Sequence, residues 1–301
     1  MGRIGEVAAR VLRLAVIPLL AAALVLPSSA YSQKSRNGAA VRIGLTAVFL
    51  DDQVAFLNVW REYLEKRLQR PVVFVQRGRY REITELLHQE KLDFAWVCGF
   101  PLVVNRQHMK LLAVPVFNGK PLYQSYLIVP ASDRQTRSIL DLRGKVFAFS
   151  DPDSNSGYLF PSYTLILLNE RPSAFFSRTF FTWAHRKVVE AVAAGLAQGG
   201  AVDGYVWETL RLANPELTSR TRVVEKSPEF GHPPFVARRS LPRGDFAAMQ
   251  RVLVEMADDA EGANLLKKLN LDGFTPGDLQ LFDGIARMMT VVRGFNHAAA
   301  P

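Results

Sequence analysis

Cysteine is nearly absent: Cys98 stands alone in 301 residues, so the chain can form no internal disulfide and holds no zinc-type cysteine cluster. A disulfide-stapled scaffold and a cysteine-rich metal fold are excluded. Histidine is scarce as well, and His88, His108, His232 and His297 show no i, i+4 pairing and no H-E-x-x-H pattern. Each reads as a surface or packing residue, so no metal and no cofactor are expected. Acidic residues are the minority, 28 against 37 Lys and Arg, for a formal charge of +9. The cations are dispersed rather than clustered, which fits attraction of an anionic ligand or a membrane surface better than nucleic acid.

Long hydrophobic runs are missing too, apart from Leu14 to Leu26. That run is about 13 residues, short of the ~20 that span a bilayer as a helix. Arg3, Arg10 and Arg13 precede it and Pro27-Ser28-Ser29-Ala30 follows, the pattern of a secretory signal peptide (1–30) cleaved after Ala30. No cysteine follows the run, so lipid attachment there is excluded, and export to an oxidising compartment is expected. What remains, 49% hydrophobic and 22% charged over the whole chain, suits a folded protein with room for two domains.

Residues 31–40 are small and polar, a tether. Val41 to Leu45 alternates like a strand, and Leu57, Trp60, Leu64 and Leu68 line one helix face that ends before Pro71. Val72–Val75 and Phe94–Val97 read as strands with a helix around Ile83–Leu87 between them. The alternation predicts a parallel sheet covered by helices. A second set follows: Leu127–Val129, Val146–Phe149, a helix from Arg186 to Gln198 stopped by Gly199-Gly200, and a strand from Ala201 to Tyr205. Val188, Val189, Val192 and Leu196 should form the buried side of that helix, and the last third should be mostly helical.

The most informative stretch runs from Ser150 to Tyr158, directly after a buried strand and before a helix. A helix start offers unpaired N–H groups and a positive dipole end, and flanking hydroxyls add donors, which together suit an anion. The same Asp, Ser and Asn residues also serve as ordinary N-caps, the more frequent role. The stretch lacks the glycine spacing and lysine of a P-loop.

Ser154-Asn155-Ser156-Gly157-Tyr158 resembles the Ser-Thr-Ser-Gly-Tyr segment of the phosphate-, phosphite- and phosphonate-binding periplasmic proteins, the PhnD-like solute-binding family of ABC transporters. In the same order, Asp141 to Lys145 resembles the family's pre-strand motif and His185 with Ala191 to Ala197 its His-led helix. Ala201 to Glu208 is similar to the strand that follows, and Leu265 to Phe274 to the C-terminal signature. The resemblance implies an α/β, type II periplasmic-binding-protein fold with two lobes, a hinge and an interlobe ligand cleft. Lobe 1 would comprise 41–123 and a return segment 231–295, lobe 2 would comprise 124–230, and 296–301 would be a tail. Carried over by position, Ser154, Asn155, Ser156 and Gly157 would hold an oxyanion, His185 would reach it from a second helix start, and Tyr80 and Tyr123 would close from lobe 1. Asp203 would meet an amine-bearing ligand, or stand as a solvated strand-end residue. Asn155 departs from the family's Thr, and Thr182-Trp183-Ala184 replaces small residues before the histidine.

These readings imply a monomeric binding protein that captures phosphate, phosphite or a small phosphonate for an ABC permease. An alternative keeps the fold but presents a ligand such as arsenite to a membrane sensor kinase, with Cys98 as a soft contact; the simpler role for Cys98 is buried packing. An exported enzyme with Cys98 or Ser156 as nucleophile and His185 as base is the remaining alternative. No Gly-x-Ser-x-Gly elbow supports it, and no catalytic residue is assigned.

Overall fold

The computed structural model describes residues 38–46 and 54–298. The leader, its cleavage point and most of the tether therefore lie outside the described residues. Strand β1 (Val41–Leu45) leads to helix α1 (Val54–Leu68), then to β2 (Val72–Gln76), α2 (Tyr80–His88), β3 (Phe94–Trp96), α3 (Gly99–Val104), β4 (Met109–Val116) and β5 (Leu122–Tyr123). The α1 face works as its spacing predicts: Trp60 and Leu64 are fully buried, and the Trp60 ring packs edge-on against Trp96 and Phe235. Burying an aromatic of this size contributes on the order of 2–3 kcal/mol.

The chain then builds a second sheet from β6 (Ser125–Pro130), β7 (Val146–Phe149), α4 (Phe160–Ile166), α5 (Pro172–Phe175), β8 (Arg178–Phe181), α6 (His185–Ala193), β9 (Gly199–Asp203), α7 (Gly204–Ala213), α8 (Pro215–Thr218) and β10 (Thr221–Lys226). It returns through β11 (Phe230–Gly231) to β12 (Phe235–Arg238), α9 (Arg243–Val254), α10 (Ala260–Leu269), β13 (Gly273–Pro276) and α11 (Asp283–Ala298). The first sheet has the order β13-β4-β12-β3-β1-β2 and the second β10-β6-β9-β7-β8. A two-stranded β5–β11 ladder sits where the chain leaves one sheet and comes back to it.

Both sheets are mixed rather than parallel. β1, β2 and β3 run parallel, as do β7, β8 and β9, but β12 and β13 pair antiparallel in the first sheet and β6 and β10 in the second. Each sheet keeps a parallel run of three strands from consecutive strand–helix units, and the antiparallel strands are those placed where the chain enters or leaves the second sheet, β6 and β10, or has returned to the first, β12 and β13.

Two boundaries also move. The helix expected to run to Gln198 ends at Ala193, because Gly195 takes φ 75°, the left-handed conformation that closes helices. Leu196 is consequently 64% exposed instead of buried. Gly199 and Gly200 belong to β9, and Tyr205 lies in α7, not in the strand.

Candidate anion-binding site

Residues 154–159 do not form an ordinary helix start. Ser154 caps a π turn, Asn155–Leu159, which runs directly into α4. Its backbone N–H groups reach five residues back, Leu159 N to Ser154 O at 3.0 Å. Ser154 Oγ accepts the Gly157 N–H at 3.0 Å. Such turns widen the helix and change which way its first side chains point, and they recur at functional sites. Gly157 is required here for room: a Cβ would lie 1.8 Å from Ser150 Oγ and 3.1 Å from His185 Cε1.

His185, the first residue of α6, stands 3.4 Å from Ser154 Oγ through Nε2. Its Nδ1 accepts the Asp203 N–H at 3.0 Å. An imidazole that accepts at Nδ1 carries its proton on Nε2, so His185 presents a donor on the Ser154 side. Burial pushes its pKa down to about 3, and the ring is neutral at physiological pH.

Asn155 ties three elements together. Its N–H meets Cys98 Sγ at 3.3 Å, just before α3, and its Nδ2 donates to Tyr123 Oη at 3.0 Å, on β5. Tyr123 is the acceptor of this bond. Ser125 Oγ donates to the Ser156 carbonyl at 2.7 Å and fixes that peptide. Tyr80 arrives from the start of α2, where its backbone N–H donates to Asp151 Oδ2 at 3.1 Å. Burial holds both phenols well above the ordinary tyrosine range, so each remains a neutral donor.

Four oxygens in this cluster are buried without any hydrogen-bond partner: Tyr80 Oη, Ser150 Oγ, Asn155 Oδ1 and Ser156 Oγ. A buried polar atom left unpaired costs about 1–3 kcal/mol. Native proteins rarely tolerate several together unless something else satisfies them. Three of the four are hydroxyls able to donate, and the chemistry matches a compact oxyanion rich in acceptors.

Asp203 ends β9 and caps α7, with Oδ1 accepting the Tyr205 N–H at 2.8 Å and the Val206 N–H at 3.3 Å. It is not solvated: it is 1% exposed, and burial lifts its pKa to about 7 against those two bonds. Cys98 is buried, and burial pushes its thiol up to about 11. The structure thus brings Tyr80, Tyr123, Ser154, Asn155, Ser156, Gly157, His185, Asp203 and Cys98 into one neighbourhood.

Sequence reasoning left Ser150 off the site and read His232 as a surface or packing residue, and packing is what the structure shows for it. Ser150 opens the singled-out stretch but precedes its hydroxyl motif, and nothing in the sequence marks it as inward-facing. His232 is fully buried with both ring nitrogens unpartnered, packed against Tyr205 at 4.9 Å and Tyr123 at 5.7 Å between ring centroids. Of the other histidines, His88 and His108 pack against each other, with ring centroids 3.7 Å apart and the rings tilted by 41°.

A family described as the periplasmic substrate-binding proteins of phosphonate ABC transporters matches residues 43–282 of this chain. The phosphate-import protein PhnD of Mycolicibacterium smegmatis is 28% identical over 227 residues, 71% of this chain and 68% of its own length. Among solved structures, the binding component of an ABC phosphonate transporter from Pseudomonas aeruginosa superposes with a TM-score of 0.80 at 22% identity, covering 87% of this chain and 89% of that one. PhnD1 of Prochlorococcus marinus, in complex with methylphosphonate, gives 0.76 at 20% identity over 84% and 98% of the two chains.

Proposed function

The chain belongs to the periplasmic phosphonate substrate-binding family of ABC transporters, and from that premise we propose that it captures phosphate, phosphite or a small phosphonate in a cleft between two closing lobes. Ser150, Ser154, Ser156 and the His185 Nε2–H donate to the anion from elements of the second sheet, Tyr80 donates from the start of α2 and Tyr123 from the β5–β11 ladder. Lobe 1 then comprises 41–123 and 231–295 and lobe 2 comprises 124–230, with β5 and β11 at the hinge. The family is a component of a transporter rather than an enzyme, and its members work in the periplasm beside an ABC permease. A leader cleaved after Ala30 would deliver the chain there as a monomer.

The observation that carries this reading is the set of buried, unpartnered oxygens around the 154–157 turn. Neutral donors bind a tetrahedral anion without a counter-charge, and the π turn adds backbone N–H groups and a positive helix end. Closure is part of affinity, since a ligand held by both sets of residues prefers the closed arrangement. Cys98 belongs to packing in this account: its thiol is protonated at neutral pH and its sulfur already accepts the Asn155 N–H.

Isothermal titration with phosphate, phosphite, methylphosphonate, 2-aminoethylphosphonate, sulfate and arsenite tests the proposal. At least one of the phosphorus anions should bind. Ser154→Ala and Ser156→Ala should each weaken that binding by about 1.5–3 kcal/mol, the worth of a hydrogen bond to a charged group. Wild-type affinity in the double variant would overturn the site assignment. A response to arsenite alone would replace the ligand class.

A further inference from the structure

Three consecutive residues at the start of α2 cross to the loops of the second sheet. The Arg79 guanidinium lies 4.6 Å from the centre of the Trp183 ring, in the loop after β8. The Tyr80 N–H meets Asp151, and Arg81 reaches both carboxylate oxygens of Asp153 at 3.2 and 3.3 Å, in the loop after β7. Only Tyr80 of the three is buried; Arg79 and Arg81 are exposed, so their charged ends stay outside the donor cluster. They grip the rim while Tyr80 points inward.

The Trp183 side of this contact is held in a costly conformation. Its φ of 66° is left-handed, where a bulky side chain is an outlier. The turn is pinned there by its neighbours: the Trp183 N–H donates to the Ser150 carbonyl at 2.6 Å, the Thr182 N–H to the Phe149 carbonyl at 2.9 Å, and Thr182 Oγ1 to the Ala184 carbonyl at 2.9 Å. Strain maintained by so many bonds, next to Ser150 and His185, marks a position with a task. The ring is set where Arg79 can cover it.

We propose that Arg79, Arg81, Asp153 and Trp183 are positioning residues, a clasp that fastens the first turn of α2 to the second sheet and so aims the Tyr80 hydroxyl at the anion without touching it. The proposal rests on the anion-capture reading above. A clasp of this kind raises affinity for every anion that the Tyr80 hydroxyl meets, because it holds that donor in its bound position beforehand.

Titration with phosphate and methylphosphonate, with hydrogen exchange of the ligand-free protein alongside, tests it. Arg79→Ala and Trp183→Ala should each weaken binding about three- to tenfold, and the double variant should be no worse than either alone, since they share one contact. Arg79→Lys, which keeps a cation over the ring, should restore most of the loss. In a Tyr80→Phe background, Arg79→Ala should cost less than about twofold, because the hydroxyl it aims is gone. Additive losses, or an undiminished effect without the Tyr80 hydroxyl, would overturn the proposal. Exchange separates this failure from that of the function: if neither probe binds wild type, the anion reading fails, and the clasp still stands or falls on whether Arg79→Ala speeds exchange of the Tyr80 amide. Unchanged exchange would refute it.

Discussion

Asp203 is where the site's chemistry and the protein's stability meet. Its carboxyl is held at about 7 against an ordinary value of 3.8, by burial. Between those values the folded protein keeps a proton that the unfolded chain has lost, so stability falls as pH rises through the window, and the full penalty applies above pH 7. As an upper bound the difference is about 4 kcal/mol. Asp203→Asn keeps an oxygen to cap Tyr205 and Val206 but has nothing to ionise. Thermal unfolding should show the variant close to wild type near pH 4 and progressively more stable than it by pH 8. A gap independent of pH would mean that the carboxyl does not titrate in this window. Such residues were only partly legible in the sequence. The hydroxyl motif and His185 stand out as types and spacings, whereas the inward turn of Ser150 and the isolation of His232 depend on packing that no local pattern encodes.

At the scale of elements, the π turn decides the site's geometry, and Gly157 decides the π turn. Gly157→Ala must displace Ser150 or His185, both donors in this account. It should cost about 1–3 kcal/mol of stability by overpacking and abolish most anion binding. Gly244→Ala, whose added methyl would meet nothing within 4 Å, should do neither. Wild-type unfolding and affinity in Gly157→Ala would show that the turn adapts. Periodicity predicted a helix after Ser154 but could not foresee its five-residue hydrogen-bond step, which answers to the contacts of Asn155 with Cys98 and Tyr123 across the fold. The early end of α6 was more readable in retrospect, since Gly195 is available as a left-handed terminator while Gly199 and Gly200 lie within β9.

For the whole molecule, strand and helix alternation was legible, and so was the family, because ordered motifs survive where single ones are weak. Strand direction was not, since the antiparallel strands are those placed where the chain crosses between the sheets, β6 and β10 in the second and β12 and β13 in the first, and no local pattern marks that crossing. Tyr80 and Tyr123 come to the donor cluster from α2 and the short ladder, and the 154–157 turn and His185 come to it from the second sheet's side. The account's central claim is that a phosphorus anion joins these two sides, and a crystal structure of the protein with methylphosphonate tests it most directly. The account predicts phosphonate oxygens within ~3.2 Å of Ser156 Oγ, Tyr80 Oη and His185 Nε2. A ligand seated elsewhere, with those groups making no contact to it, would contradict the account.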